Sequence, residues 1–260
     1  MKYIVANWKM NLTVRESVAL ARGVLREMRG VDHVPQVILC PSFTALHEVY
    51  KSLARSRVAL GAQNCGPHTR AGAFTGEISP SMLEDTHCQY VIIGHSERRH
   101  LGEEQALIRQ KLQAAYASRL VPMLCVGESY DDHEHGNAFP VVEEQLKSAL
   151  YHIDIPVSRK IMIAYEPVWA ISTNGMTEEP VVSDIVEMHT HIRELVSTWT
   201  GRSMQDVVVL YGGSVDEDSA YRLLREPQID GVLVGGASLK LHNFSRIIQV
   251  AEEIMSAQEN

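Results

Sequence analysis

The sequence predicts an α/β fold, a single closed (β/α)8 barrel spanning residues 1–260. Three observations carry that expectation: about eight short apolar runs rich in β-branched residues, helical-period segments filling gaps between them, and no Pro/Gly/Ser linker that would divide the chain. None of the runs alternates apolar with polar residues, which is the pattern of strands buried on both faces, as parallel sheets require. An open doubly wound sheet usually has fewer strands and often begins with a glycine-rich turn after its first strand. Here Asn7-Trp8-Lys9 follows the first run, and neither GxGxxG nor GxxxxGK[ST] occurs.

The elements follow in order. The first run, 3–6, precedes Thr13-x-x-Glu16, a capping box whose side chains satisfy free backbone N–H groups. Val14, Val18, Ala21, Leu25 and Met28 then recur at helical intervals, so a helix starts at Val14. Runs 37–40 and 58–62 come next, with weak helical signal after the second of these. Run 90–93 leads to a helix over 103–118, run 121–126 to one over 141–152, and run 160–165 to one over 181–197. Run 207–211 again has weak helical signal behind it, and run 231–234 precedes a helix over 243–257. The loosest stretch, 131–139, is short enough to remain a loop within one domain.

Composition narrows the function. The chain is 45% hydrophobic and 22% charged, and 24 Lys+Arg against 32 Asp+Glu leave a net charge of −8 without any block of like charge. Nucleic acid and anionic membrane surfaces are therefore poor partners, and an anionic ligand needs donors placed locally. No run approaches the roughly 18 apolar residues of a membrane span, and the opening MKYIVANWKM has no charged segment ahead of a long apolar one. A soluble, cytoplasmic protein is expected. Cys40, Cys65, Cys88 and Cys125 form no CxxC pair and read as free thiols.

In such a barrel the chemistry sits at the carboxyl ends of the strands. The polar residues there are Asn7 and Lys9, then His95 with Glu97, then Glu166, then Gly212-Gly213-Ser214, then Gly235-Gly236. Any one of these alone is more often a cap or a loop residue, so their joint placement is the argument. A base, an imidazole and an ammonium suit removal of a proton from a carbon acid, with donors where negative charge develops on oxygen. Gly235-Gly236, opening onto Ala237-Ser238-Leu239, can present backbone N–H groups to a phosphate, with Ser214 beside them and Lys9 as a point charge. Asp131-Asp132-His133-Glu134-His135 reads as a solvated loop and not a metal site, because its histidines are two apart with no distant third ligand. His189 and His191, two apart on a helix, are expected at the surface. Trp8, Trp169, Trp199 and Cys125 read as packing residues, although Trp169 beside Pro167 also suits a hinge.

These residues resemble the triosephosphate isomerase family. The resemblance rests on Asn7-Trp8-Lys9-Met10-Asn11, Gly61-Ala62-Gln63-Asn64, Gly72-Ala73-Phe74-Thr75-Gly76-Glu77, Gly94-His95-Ser96-Glu97-Arg98-Arg99 and Cys125-Val126-Gly127-Glu128 in the first half. It continues through Ala164-Tyr165-Glu166-Pro167-Val168-Trp169-Ala170-Ile171, Tyr211-Gly212-Gly213-Ser214-Val215 and the segment 231–240. It implies cofactor-free interconversion of dihydroxyacetone phosphate and D-glyceraldehyde 3-phosphate in glycolysis and gluconeogenesis. By the same resemblance Glu166 is the general base, His95 a neutral electrophile, Lys9 and Asn7 the groups that hold the substrate and enediolate, and Glu97 their support. Ser172, Ser214, Gly235 and Gly236 match phosphate-contacting positions. The loop that carries Thr75 is implied to reach a second subunit of a homodimer, which places 65–70 at the interface. Ser172-Thr173-Asn174-Gly175-Met176 departs from the family's glycine-threonine-glycine-lysine in the lid, and one residue fewer than in many relatives separates Arg99 from Gly102. The altered lid motivates one alternative, a related isomerase of a longer sugar phosphate such as a tetrulose phosphate.

Overall fold

The computed structural model describes residues 1–30, 34–171 and 180–259. Its strands are β1 (Tyr3–Asn7), β2 (Gln36–Cys40), β3 (Ala59–Ala62), β4 (Tyr90–Ile93), β5 (Val121–Val126), β6 (Ile161–Tyr165), β7 (Val207–Tyr211) and β8 (Gly231–Val234). Each pairs in parallel with the next, and β8 returns to β1 in the register Tyr3↔Gly231, so the sheet closes into a barrel. The apolar runs lack polar alternation because both faces are covered. Val5, Ile38, Ile92, Met123 and Leu210 fill the interior, while Ile4, Val37, Val91, Ile163 and Val209 pack beneath the helices.

The helices are α1 (Val14–Glu27), α2 (Leu46–Leu53), α3 (Pro80–Asp85), α4 (Ser96–His100), α5 (Gln105–Tyr116), α6 (Tyr130–Glu134), α7 (Ala138–Leu150), α8 (Val182–Thr200), α9 (Glu217–Leu224) and α10 (Leu241–Glu259). α1 has the expected box: the Glu16 amide donates to Thr13 Oγ1 at 3.3 Å, and the Thr13 amide donates to Glu16 Oε2 at 2.8 Å. Its buried face is turned from the expected one. Ser17, Ala21 and Val24 are buried while Val14 is exposed, because Gly23 lies directly beneath the Leu241 side chain and sets the seam with α10.

Two expectations are corrected. Residues 130–134 are helical rather than loop, since Ser129 and Asp132 close a second capping box: the Asp132 amide donates to Ser129 Oγ at 3.2 Å and the Ser129 amide to Asp132 Oδ2 at 3.1 Å. His189 is fully buried, not superficial, because it belongs to the same helical stripe as Ile185, Met188, Ile192 and Val196 on the barrel side of α8. His191 lies half-buried with its ring edge-on to Phe139. Among the described residues no helix is long and apolar enough to cross a membrane.

Candidate active site

At the end of β1 the chain turns sharply. Lys9 takes a left-handed backbone at φ 52°, costly for a residue with a side chain and held by its surroundings. Its amide donates to Asn7 Oδ1 at 3.1 Å, and its carbonyl accepts from Gln63 Nε2 at 2.9 Å, a side chain that also donates to the Cys40 carbonyl. The Lys9 ammonium pairs with Glu97 Oε1 at 2.7 Å. It also approaches Gly235: a Cβ there would stand 3.5 Å from Lys9 Cε.

His95 follows β4 and caps α4. Its Nδ1 accepts the Glu97 amide at 3.2 Å, so Nδ1 carries no proton and a neutral ring bears its hydrogen on Nε2. That nitrogen lies 3.5 Å from Glu166 Oε1. Glu166 leaves β6 with its own amide bound to the Val126 carbonyl at 2.7 Å. Its carboxylate is buried, and Oε2 accepts the Ser96 amide at 3.2 Å while Oε1 has no hydrogen-bond partner among the described residues. Two glycines make its position possible. A Cβ at Gly127 would meet the Glu166 carbonyl oxygen at 1.8 Å, and one at Gly212 would meet Glu166 Cγ at 2.6 Å.

Beyond β8 the Ser238 amide and hydroxyl both donate to the Gly235 carbonyl, starting a 3-10 turn at Gly236 whose first amides have no partner within the turn. The Ser214 amide donates to the Ala170 carbonyl at 3.0 Å, so Ser214 reaches the cavity without offering that group. A cavity of about 350 Å³ joins Asn7, Lys9, His95, Glu166, Ser214, Gly235 and Gly236. Glu97 stands behind Lys9 rather than on the cavity wall. Ser172 and Asn174 lie outside the described residues.

Several residues that sequence reasoning left without a role also shape the site. Gln63 supports the Lys9 turn, and Lys240 and Asn243 complete the cavity mouth. Buried Glu128 accepts from Trp169 Nε1 at 2.7 Å and from the Tyr165 hydroxyl at 3.1 Å, and the Trp169 ring stacks on His133. Gln63 and Glu128 each stand just past the end of a strand, the same signal that marks Glu166. Cys125 is buried inside the barrel, and burial, reinforced by Glu166, holds its thiol well above the usual range, so it packs as a neutral group.

An enclosed carboxylate facing the donor nitrogen of an imidazole, at the carboxyl ends of a closed parallel ring, defines a (β/α)8-barrel enzyme of proton transfer. The family model described as triosephosphate isomerase matches residues 2–251. The triosephosphate isomerase of Chloroflexus aurantiacus is 45% identical over 94% of this chain and 97% of its own, and that of Endomicrobium trichonymphae is 40% identical over 96% and 98%. The crystal structure of triosephosphate isomerase from Bartonella henselae superposes with a TM-score of 0.83 at 34% identity, covering 96% of this chain and 98% of that one. The chain belongs to the triosephosphate isomerase family.

Proposed function

We propose that the protein interconverts dihydroxyacetone phosphate and D-glyceraldehyde 3-phosphate without a cofactor, through an enediolate. The observation that carries this reading is the 3.5 Å approach of Glu166 Oε1 to His95 Nε2 with the ring held in the tautomer that donates from Nε2. Glu166 takes the proton from the carbon next to the carbonyl, the C–H electrons form the carbon–carbon double bond, and the carbonyl pair moves onto oxygen. His95 Nε2–H and the Lys9 ammonium meet that oxygen's charge, with Asn7 beside them. Glu166 then returns the proton to the former carbonyl carbon, the hydroxyl proton passes from the other carbon's oxygen to the former carbonyl oxygen with His95 beside both, and the new carbonyl forms on the carbon that gave up its proton. Glu97 holds Lys9 in reach, and the turn amides at Gly235 and Gly236 receive the phosphate, with Ser214 alongside. Ser172 is the matching contact from the lid.

The protein acts as a cytoplasmic homodimer in which the Thr75 loop reaches the partner subunit. Residues 71–77 are all exposed in the single chain, which supports that assignment. A coupled assay of the purified protein with D-glyceraldehyde 3-phosphate tests the function. kcat/KM of about 10⁸ M⁻¹s⁻¹, near the diffusional ceiling, is the expected result. Failure to turn over a triose phosphate, with turnover of a four-carbon sugar phosphate instead, would replace the reading.

A further inference from the structure

We infer that Arg99 is a positioning residue that fixes both His95 and Glu166 from behind the cavity, an assignment that rests on the proposed roles of those two groups. Arg99 sits one turn after His95 on α4 and is half-buried, yet it does not line the cavity. Its Nε donates to the Gly94 carbonyl at 2.7 Å, and its Nη2 donates to the Cys125 carbonyl at 2.9 Å. Its own amide donates to the His95 carbonyl at 3.1 Å. The peptide planes on either side of the His95 α-carbon are thus both tied to one residue. Gly94 makes this possible by taking a left-handed φ of 71°, which turns its carbonyl toward the guanidinium.

The second arm reaches the base. Cys125 and Val126 pair with Ala164 and Tyr165 across β5 and β6, and the Val126 carbonyl receives the Glu166 amide. Holding the Cys125 carbonyl therefore holds the stretch of β5 from which Glu166 hangs. The Cys125 thiol itself faces the Glu166 carboxylate. One planar cation spans the end of β4, which carries the donor, and the end of β5, to which the amide of the base is bonded, and so sets the distance between them. A lysine offers a single point of charge that reaches one carbonyl and not both.

The test compares full-length wild type, Arg99→Ala and Arg99→Lys in the triose phosphate assay, with and without millimolar guanidinium at a concentration that leaves the fold intact. Displacement of positioned groups by about 1 Å costs on the order of 10²-fold, so Arg99→Ala should lose about that factor in kcat with KM nearly unchanged. Guanidinium, but not ammonium, should restore at least about tenfold of the loss, and Arg99→Lys should fall between wild type and alanine. Wild-type kcat in a folded Arg99→Ala overturns the inference, as does a loss that guanidinium leaves untouched. If the alanine variant does not fold, Arg99→Lys decides: a lowered kcat at constant KM supports the assignment and wild-type kcat overturns it. A wild-type protein that isomerises no triose phosphate overturns the proposed function itself, whatever the variants do.

Discussion

A carboxylate 3.5 Å from an imidazole tolerates little displacement, so substitutions around Glu166 read directly on turnover. Glu166→Asp withdraws the base by about one bond length and should lower kcat about 10²-fold or more while the far-ultraviolet circular dichroism stays unchanged. Gly212→Ala places a methyl group 2.6 Å from Glu166 Cγ, and the carboxylate must yield; kcat measured by the same assay should fall by at least about tenfold. Asn7, His95 and Glu166 were legible because each is the first polar side chain after an apolar run, and Lys9 and Glu97 because each follows one of them by two residues. Gln63 and Arg99 were not legible as supports, because they act on carbonyls of Lys9, Cys40, Gly94 and Cys125 that only strand register brings within reach.

Strands were easier to foresee than helices. Burial on both faces writes a strand into the chain as an unbroken apolar run, and all eight runs begin within one residue of the strand's first residue, those of β4, β5, β7 and β8 matching at both ends. α1 announced itself through Thr13 and Glu16. Short helices such as α3, α4 and α6 span too few turns for periodicity to register, and their ends are set by Ser79, His95 and Ser129, each accepting a backbone amide through its side chain. Caps therefore carry measurable stability here. Thr13→Ala should cost about 1 kcal/mol in urea unfolding without altering kcat, since α1 packs outside the barrel and far along the chain from the Glu166 carboxylate.

For the molecule as a whole, His189 links stability to acidity. Burial holds its pKa down at about 3, with Arg193 and Lys2 pushing the same way against the Gln228 carbonyl. The unfolded chain binds this proton near the ordinary histidine value of 6.5 and the folded one does not, so the contribution is complete above that value and is lost as pH falls through it toward 3. Between pH 7 and 5 the loss from this one ring is about 2 kcal/mol, and urea unfolding of His189→Gln should show a correspondingly shallower decline over that range. Sedimentation should give twice the 29.0 kDa chain mass at micromolar concentration, and Thr75→Glu should shift it toward the single-chain value. The seam between β1 and β8 has one more consequence. It joins Tyr3 to Gly231 where a Cβ would stand 2.0 Å from the Tyr3 carbonyl oxygen, so only a glycine lets the last strand zip against the first. Until the ribosome has released β8, the nascent sheet carries two bare edges, each a template for pairing with another chain. Ring closure is thus the step that removes the aggregation hazard, and a product that stops short of Gly231 is one for chaperones and proteases to clear.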